Sequence, residues 1–486
     1  MLRSSALRHI IEQSTSSRSS VTSRCFRRSF SQSTSVQLLN NLHPNLTRAA
    51  ASAAALRPRP VPQQPNHSRN PPPPHQTIAE TVADDLPISS MDNKRVAVGW
   101  DTRTWSRFHH IWLRDHCRCS ECFHPTTKQR LVNTFEIPPD LQPLAVESKV
   151  DGLQVTWPSA STPHISFYPW SWLKHNSYDP PLMNSDQNEK ILWGSKIEQS
   201  PPTVKYEEVM TDEGPGLYKW LQNIDKFGFC FVSGVPPTPE ATEKLSERIG
   251  FIRETQYGKF WEFTSDLSKG DTAYTTLALG AHTDNTYFTD PCGLQLFHLL
   301  SHTDGSGGAT LLVDGFYVAS IVKELHPEVY DILSRVPVPA HAAGEQGSLY
   351  RPSPSTGYPV LRHDLGTGDL MQVRWNNDDR SVMRRLEGSL VESWYNAIRT
   401  WHSCLTSPDS EYWVQLTPGT AVIINNHRVL HGRSAFDGKR RMCGAYIGMD
   451  EFQSKLAVLS EKFSPNPDLR VSEESEKTRS VWSPYL

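Results

Sequence analysis

The chain has 486 residues, of which 37% are hydrophobic, and its formal net charge is -3. This length and apolar content are sufficient to bury a full core, most simply in two domains. The nearly balanced charge excludes the basic footprint of a nucleic-acid or membrane-surface protein, and no apolar run approaches the ~18 residues that a membrane-spanning helix requires.

The first 30 residues have the composition of an organellar transit peptide. Arginine and serine are frequent there, and Glu12 is the only acidic residue before Glu80. The segment lacks the apolar block of a secretory signal, so we predict mitochondrial import over residues 1–30 and a protein of the mitochondrial matrix. A disordered basic tail is the alternative. The Ala/Pro-rich residues 31–91 are predicted to be a disordered linker.

Strand-like runs in residues 92–188 predict a small β-rich domain with a metal site. Three cysteines lie within six residues of one another, namely Cys117, Cys119 and Cys122. They are too close for an ordinary disulfide framework, whereas three thiolates can surround one Zn(II) ion. The fourth ligand is His124 in the same loop or His164 on a separate strand, and His164 is preferred because it cross-links the domain. Four protein ligands make a zinc site structural.

Residues 195–465 are predicted to form the larger domain. Short strands separated by Gly and Pro turns favour a sandwich or barrel, most simply a jelly roll. Two helical stretches interrupt the strands, Tyr317–Val336 and Leu386–Leu405. The predicted fold class is therefore mostly β with flanking helices. Residues 466–486 are predicted to be a C-terminal tail.

His282 and Asp284 form an H-x-D triplet after the alternating run Ala273–Leu279. In a strand or its extension, residues i and i+2 point to the same face, so both side chains would project together. With a distant second histidine they would form the facial triad of non-haem Fe(II) oxygenases, which leaves positions open for a cosubstrate and O2. The triplet alone is a weak signal, because chance produces such spacings in a long chain.

Two histidines near the buried run Ala421–Ile424 are candidates for the third ligand. His427 and His431 have the same parity, so alternation does not choose between them. Beyond them, Arg440 and Arg441 lead into another strand. An inward-facing arginine at that place could bind the far carboxylate of a dicarboxylic cosubstrate bidentately.

The chain resembles the carnitine-biosynthesis dioxygenases in four separated motifs, WLRDHCRCSEC, AHTDNTYFTDPCGLQLFH, GGATLLVDGFY and RVLHGRSAFDGKRRMCGAY. The resemblance covers roughly Val96–Leu459. It implies an Fe(II)- and 2-oxoglutarate-dependent oxygenase that uses O2 and L-ascorbate, with a double-stranded β-helix (jelly-roll) catalytic domain and a zinc-binding N-terminal domain. It also suggests a homodimer.

The same resemblance assigns metal and cosubstrate residues. The iron ligands fall on His282, Asp284 and His431, which favours His431 over His427. The zinc ligands fall on Cys117, Cys119, Cys122 and His164. The 2-oxoglutarate residues fall on Arg440 and Thr310, with Arg441 as the alternative to Arg440.

The implied substrate is a small molecule that carries a trimethylammonium group. Such a group forms no ordinary hydrogen bond and is attracted to the faces of aromatic rings. The matching substrate-binding positions are Tyr257, Trp261, Tyr274, Tyr446 and Asn376, whereas Asp271 is a candidate from its charge alone, with a turn residue after Gly270 as the alternative. Asn376 would contact the substrate carboxylate, and Asp271 could pair with the α-amino group that trimethyllysine has and γ-butyrobetaine lacks.

The expected reaction is hydroxylation of N6,N6,N6-trimethyllysine at C3, with formation of succinate and CO2, as the first step of carnitine biosynthesis. Two alternatives stay open. One is hydroxylation of γ-butyrobetaine, and the other is a non-catalytic scaffold built on the zinc module.

Overall fold

The computed structural model describes residues 87–182, 190–212, 214–264, 275–342, 352–354, 356–463 and 480–482. The predicted transit peptide, most of the predicted linker, Asp271 and Tyr274 lie outside these residues. Among the helices that are described, none is long and apolar enough to cross a membrane.

Within residues 87–182, the N-terminal module contains six strands and two short α-helices. They are β1 Ile88–Met91, β2 Arg95–Gly99, β3 Trp105–His109, α1 His110–Asp115, β4 Ala145–Ser148, β5 Gly152–Trp157, β6 His164–Pro169 and α2 Trp170–His175. The strands form two antiparallel sheets, β1-β2-β3 and β4-β5-β6. The predicted linker extended through residue 91, but β1 pairs with β2 from Ile88 onward, so folded sequence begins inside that stretch.

The two sheets of the module share one aromatic-rich core. Val98 and Phe108 of the first sheet are fully buried with Val155 and Trp157 of the second. Complete burial of each such side chain contributes roughly 1.5–3 kcal/mol. The predicted C-terminal tail adds to this core, because Trp482 packs edge-on against neighbouring aromatic rings of the module.

The larger domain contains twelve strands among the described residues. They are β7 Thr203–Lys205, β8 Phe229–Ser233, β9 Phe260–Thr264, β10 Leu279–His282, β11 Leu294–Thr303, β12 Thr310–Asp314, β13 Leu361–His363, β14 Leu370–Val373, β15 Tyr412–Val414, β16 Thr420–Asn425, β17 Val429–Arg433 and β18 Lys439–Ile447. A six-stranded sheet has the order β7-β8-β16-β11-β18-β9, and a four-stranded sheet has the order β10-β17-β12-β15. All pairs in these two sheets are antiparallel except β7 with β8.

Seven helices accompany these strands in the described ranges. They are α3 Tyr206–Met210, α4 Pro215–Phe227, α5 Pro239–Glu247, α6 Gly315–Leu325, α7 Pro327–Arg335, α8 Val391–Leu405 and α9 Met449–Phe463. The stretch Tyr317–Val336 was predicted as one helix, but it is divided at His326, which has φ -140° and ψ 62°. Pro327 causes the division, because a proline disfavours helical geometry in the residue before it and removes a backbone donor.

Three hydrophobic clusters define the layers of this domain. Side chains from both sheets meet between them, including Phe229 and Val422 of the large sheet and Leu312 and Val429 of the small sheet. Helices α4, α5 and α9 cover the outer face of the large sheet, and α6, α7 and α8 cover the outer face of the small one. The prediction of a β sandwich with helices outside is therefore confirmed.

Candidate active site

The predicted iron ligands converge at one end of the small sheet. His282, the last residue of β10, is the direct cross-strand partner of His431 on β17. The Nε2 atoms of His282 and His431 lie 3.3 and 3.8 Å from Asp284 Oδ1. Asp284 is not in a strand, because β10 ends at His282 and a turn follows. The turn nevertheless returns the carboxylate to the two imidazoles, and the three groups form a cluster of metal-ligating atoms.

Four hydrogen bonds orient Asp284. Its Oδ2 accepts from Gln295 Nε2 at 2.6 Å and from the Tyr446 hydroxyl at 2.7 Å. Its backbone N–H donates to Asn426 Oδ1 at 2.8 Å, and its carbonyl accepts from Asn426 Nδ2 at 3.0 Å. Because Oδ2 is engaged by two donors, Oδ1 is the oxygen presented to the histidines.

The histidine tautomers suit the same arrangement. His282 Nδ1 donates to the carbonyl of Gly280 at 2.8 Å, so in the neutral ring Nε2 carries the lone pair that a metal needs. His431 Nδ1 is buried and has no hydrogen-bond partner among the described residues. The rival histidine, His427, is turned away, with Nε2 3.2 Å from the carbonyl of Pro291.

The protonation of the cluster depends on its internal charges. Burial opposes a charge on His282, but the hydrogen bond to Asp284 and its negative charge outweigh burial and raise the pKa of His282 to about 9. Burial and the nearby His282 lower the pKa of His431 to about 3. Burial acts to raise the pKa of Asp284, yet the two histidines and Tyr446 hold it well below its usual range. A cation that binds here must therefore displace a proton from His282.

A cavity of about 520 Å³ opens beside the triad, and two buried arginines, Arg433 and Arg440, are part of its lining. Arg440 is only 4% exposed, and its Nε has no partner among the described residues. Burial lowers the pKa of Arg433 and Arg440 to about 10, so both remain cations at neutral pH. Thr310 also lines the cavity. The alternative arginine, Arg441, is instead paired at the surface with Glu262 at 2.5 Å.

Aromatic rings form another part of the cavity wall. Trp261 lies 6.2 Å from the ring of Tyr446 and 5.8 Å from that of Phe297. The hydroxyl groups of Tyr257 and Tyr287 are 3.3 Å apart. Three of the predicted cage positions, Tyr257, Trp261 and Tyr446, thus share one cavity, and Tyr446 connects it directly to Asp284.

Asn376 also lines the cavity, where it fixes a polar loop. Its Nδ2 donates to Asp379 Oδ2 at 2.8 Å, and its Oδ1 accepts from the backbone N–H of Asp378 at 2.9 Å. The preceding residue, Trp375, is bound to Thr283 by three hydrogen bonds of 2.7, 2.9 and 3.4 Å. The loop is therefore attached to the residue between His282 and Asp284.

Sequence reasoning missed several groups that the structure brings to the site. Gln295 had a visible signal, since it is a polar residue within an apolar run of β11. Arg433 follows His431 by two residues on one strand, which places both on one face. Asn426 and Asp379 carry no comparable signal, because only the packing of distant segments brings Asn426 to Asp284 and Asp379 into the cavity lining.

The predicted zinc ligands also converge. The sulfur atoms of Cys117, Cys119 and Cys122 lie 3.4, 3.6 and 3.5 Å from His164 Nε2. His164 begins β6, whereas the cysteines follow α1, so the cluster joins two distant segments. His124 is not part of it, because its Nδ1 accepts from the backbone N–H groups of two threonines in its own loop.

The thiols of the cluster differ in acidity. A hydrogen bond shared with Cys117 and the neighbouring Arg114 guanidinium lower the pKa of Cys122 to about 5, against the effect of burial. The same shared hydrogen bond, together with burial, raises the pKa of Cys117. Arg114 Nη1 donates to Cys122 Sγ at 3.2 Å, which favours a thiolate at the position where a cation would bind.

Two family descriptions match the chain. Residues 192–446 match "Taurine catabolism dioxygenase TauD, TfdA family". Residues 88–174 match "Gamma-butyrobetaine hydroxylase-like, N-terminal". The first match covers the two-sheet domain with the triad, and the second covers the module with the cysteine cluster.

Named relatives are similar over most of the chain. The chain is 45% identical to a trimethyllysine dioxygenase of Meyerozyma guilliermondii, over 76% of this chain and 95% of the relative. It is 43% identical to the mitochondrial trimethyllysine dioxygenase of Homo sapiens, over 73% of this chain and 83% of the relative. Identity to the γ-butyrobetaine dioxygenase of Homo sapiens is 28%, over 75% of this chain and 94% of that protein.

Proposed function

Because the chain belongs to the trimethyllysine dioxygenase family, we propose that it catalyses the Fe(II)- and 2-oxoglutarate-dependent hydroxylation of N6,N6,N6-trimethyllysine at C3. The observation that carries this proposal is the meeting of His282, Asp284 and His431 at a cavity that also contains two buried arginines. γ-Butyrobetaine is the less supported substrate, since the named relative that acts on it is only 28% identical.

The triad fits a ferrous ion by its donor set. Two imidazole nitrogens and one carboxylate oxygen are the ligands of non-haem Fe(II) oxygenases, and they leave coordination positions for other groups. The tautomer of His282 and the engagement of Asp284 Oδ2 both point the ligating atoms inward. Bound Fe(II), with 2-oxoglutarate and O2, supplies the oxidising chemistry that replaces a C–H bond of the substrate by C–OH.

Protein groups around the triad position the reactants. Arg440 is proposed to bind the far carboxylate of 2-oxoglutarate, because it is a buried cation with an unpaired Nε in the cavity. Thr310 is proposed to assist as a hydroxyl donor. Arg433 adds a second positive charge to the same wall, although its Nη2 also donates to the carbonyls of Thr275 and Leu277 at 2.7 and 2.9 Å.

The aromatic wall is proposed to bind the trimethylammonium group. Tyr257, Trp261 and Tyr446 line the cavity, and a cation–π contact to a ring face contributes about 0.5–2 kcal/mol, depending on how far water is excluded. Tyr274 completes the proposed cage. Asn376 is proposed to contact the substrate carboxylate, and Asp271 is one candidate partner for the α-amino group. Correct placement of C3 beside the iron is what gives the reaction its regiospecificity.

The cysteine cluster is proposed to hold a structural Zn(II) ion. Three sulfurs and His164 Nε2 provide four donors, and all four positions are filled by protein. Glu121 Oε2 lies 3.5 Å from His164 Nδ1, which suits the partner that a metal-bound histidine usually has on its other nitrogen. The ion would connect the loop after α1 to β6.

We further propose that the protein works in the mitochondrial matrix as a homodimer. The mammalian relatives are named mitochondrial, which agrees with the arginine- and serine-rich residues 1–30. Import of a fusion of these residues to a fluorescent protein tests the location, and light scattering of the purified chain tests the oligomeric state.

The proposed reaction is tested by incubating the purified chain with Fe(II), 2-oxoglutarate, ascorbate and each betaine separately. Mass spectrometry should find a gain of one oxygen on trimethyllysine, with one succinate released per product. The variant His282→Ala should lose turnover and keep its zinc. Turnover of γ-butyrobetaine alone, or an active His282→Ala variant, would contradict the proposal.

A further inference from the structure

We propose that Asp379 recognises the α-ammonium group of the substrate and thereby selects trimethyllysine over betaines that lack an amino group. The inference rests on the proposed function and names a selectivity residue for it. It follows from the chemistry of the reaction, the course of the chain around the iron ligands, and the fixed position of the Asp379 carboxylate.

The position of the reacting carbon requires an anion near the iron. In trimethyllysine, C3 is bonded directly to the carbon that carries the α-ammonium and carboxylate groups. The ammonium nitrogen is therefore only two bonds away from C3, so it lies close to the iron when C3 faces the metal. Trimethyllysine has a net charge of +1, whereas γ-butyrobetaine is neutral overall. A buried ammonium group without a counter-charge would be strongly disfavoured.

The chain places the loop 376–379 on the side of the triad that suits this ammonium group. Strand β10 begins at Leu279, which is paired with Arg433, and ends at His282, which is paired with His431. The next residue, Thr283, is hydrogen bonded to Trp375, which leads directly into the loop. The loop therefore leaves from the end of the iron site remote from Arg433, where 2-oxoglutarate is proposed to bind.

The Asp379 carboxylate is held in place within this loop. Its Oδ2 accepts from Asn376 Nδ2 at 2.8 Å, and its backbone carbonyl accepts from His341 N–H at 3.0 Å. Asp379 is half-buried and lines the cavity together with His282.

The test compares trimethyllysine with 6-(trimethylammonio)hexanoate, which differs from it only by the missing α-amino group. Binding to the full chain is measured calorimetrically with Mn(II) in place of iron and N-oxalylglycine in place of 2-oxoglutarate, so that no turnover occurs. The variant Asp379→Asn removes the negative charge and keeps an oxygen that can accept from Asn376 Nδ2. The neighbouring Asp378→Asn removes the same charge and is the matched control, because Asp378 lines the same cavity but is exposed and does not accept from the Asn376 side chain.

Loss of a charge-assisted contact should weaken trimethyllysine binding in Asp379→Asn by about 10- to 100-fold, while affinity for the des-amino compound changes by less than about threefold. The ratio of kcat/KM for the two compounds should change in the same direction. Equal losses for both ligands, no loss, or the same loss in Asp378→Asn would overturn the proposal. The proposal would also be overturned if Asp271→Asn, but not Asp379→Asn, changed the preference for trimethyllysine over the des-amino compound. Wild-type protein that binds trimethyllysine but oxidises nothing contradicts the proposed function instead, and the binding comparison still decides the role of Asp379.

Discussion

The hydroxyl group of Tyr446 donates to Asp284 Oδ2 at 2.7 Å, while the ring of the same tyrosine lies 6.2 Å from that of Trp261 in the cavity wall. One side chain therefore orients a predicted iron ligand and also forms part of the predicted cage. Substrate that packs against this ring is in contact with a group that controls the ligand geometry.

Removal of that hydroxyl should reduce turnover more than substrate binding. In Tyr446→Phe the ring remains, but Asp284 Oδ2 loses one of its two donors and keeps only Gln295. Loss of such a partner of a metal ligand typically costs 10–100-fold, so we expect kcat to fall about 10-fold with a KM change below about threefold. Steady-state kinetics measure both values. The control is Tyr330→Phe, because the Tyr330 hydroxyl is bonded to His363 at 2.8 Å outside the site. An equal fall of kcat in this variant would show that loss of a hydrogen-bonded tyrosine hydroxyl, rather than of the bond to Asp284, lowers turnover.

The two neighbouring arginines should differ sharply in their effect on the cosubstrate. Arg440→Met removes a buried cation from the cavity, and we expect the KM for 2-oxoglutarate to rise about 100-fold, since bidentate carboxylate pairs are among the stronger hydrogen bonds. Arg441→Met breaks only a surface pair with Glu262, which is worth about 0–1 kcal/mol, so its KM should stay near that of wild type. The reverse result would mean that Arg441 is the cosubstrate residue.

The zinc proposal predicts different outcomes for two histidines of the N-terminal module. His164→Ala removes one of four donors, and the purified protein should lose most of its zinc and unfold this module at a lower temperature. His124→Ala should keep one zinc per chain, because His124 only accepts hydrogen bonds within its own loop. Metal content by mass spectrometry and thermal unfolding provide the measurements. Full zinc occupancy in His164→Ala would exclude the proposed ligand set.

His298 should make stability depend on pH. It is fully buried on β11, Nε2 accepts from Gly419 N–H at 3.3 Å, and Nδ1 lies 2.7 Å from the hydroxyl of Thr242, which donates onward to Thr238. This network suits the neutral imidazole, and burial lowers the pKa of His298 to about 4. The unfolded chain binds the proton more readily, so the stabilisation is complete above pH ~6.5 and is lost as the pH falls towards 4.

Full protonation of His298 would lower the free energy of unfolding by about 3 kcal/mol, because its pKa differs by about 2.5 between the folded and the unfolded chain. In His298→Gln the fall of the unfolding temperature between these pH values should be smaller than in wild type. His341→Gln, at an exposed histidine, should retain the wild-type slope. Parallel slopes in all three proteins would contradict the buried neutral state.

Local periodicity was sufficient for many elements but not for their ends. The run Ala421–Ile424 is indeed a buried strand, and the spacing of His282 and Asp284 indicated a shared direction. That direction arises from a turn, however, since β10 ends at His282. Parity could not choose between His427 and His431 because the turn over residues 426–428 interrupts the strand alternation between them.

What the sequence determined by itself was chemistry within short segments: the three-cysteine loop, the H-x-D triplet, the apolar strands and the composition of the N-terminus. Tertiary structure decided which distant groups meet them. The pairing of β18 with β11 and β9 selects Arg440 for the cavity and Arg441 for the surface, and the contact between Thr283 and Trp375 brings Asp379 to the iron site. The physical reason is range, because alternation along a strand fixes relative direction over a few residues, whereas burial and approach to a remote partner depend on the packing of the whole sandwich.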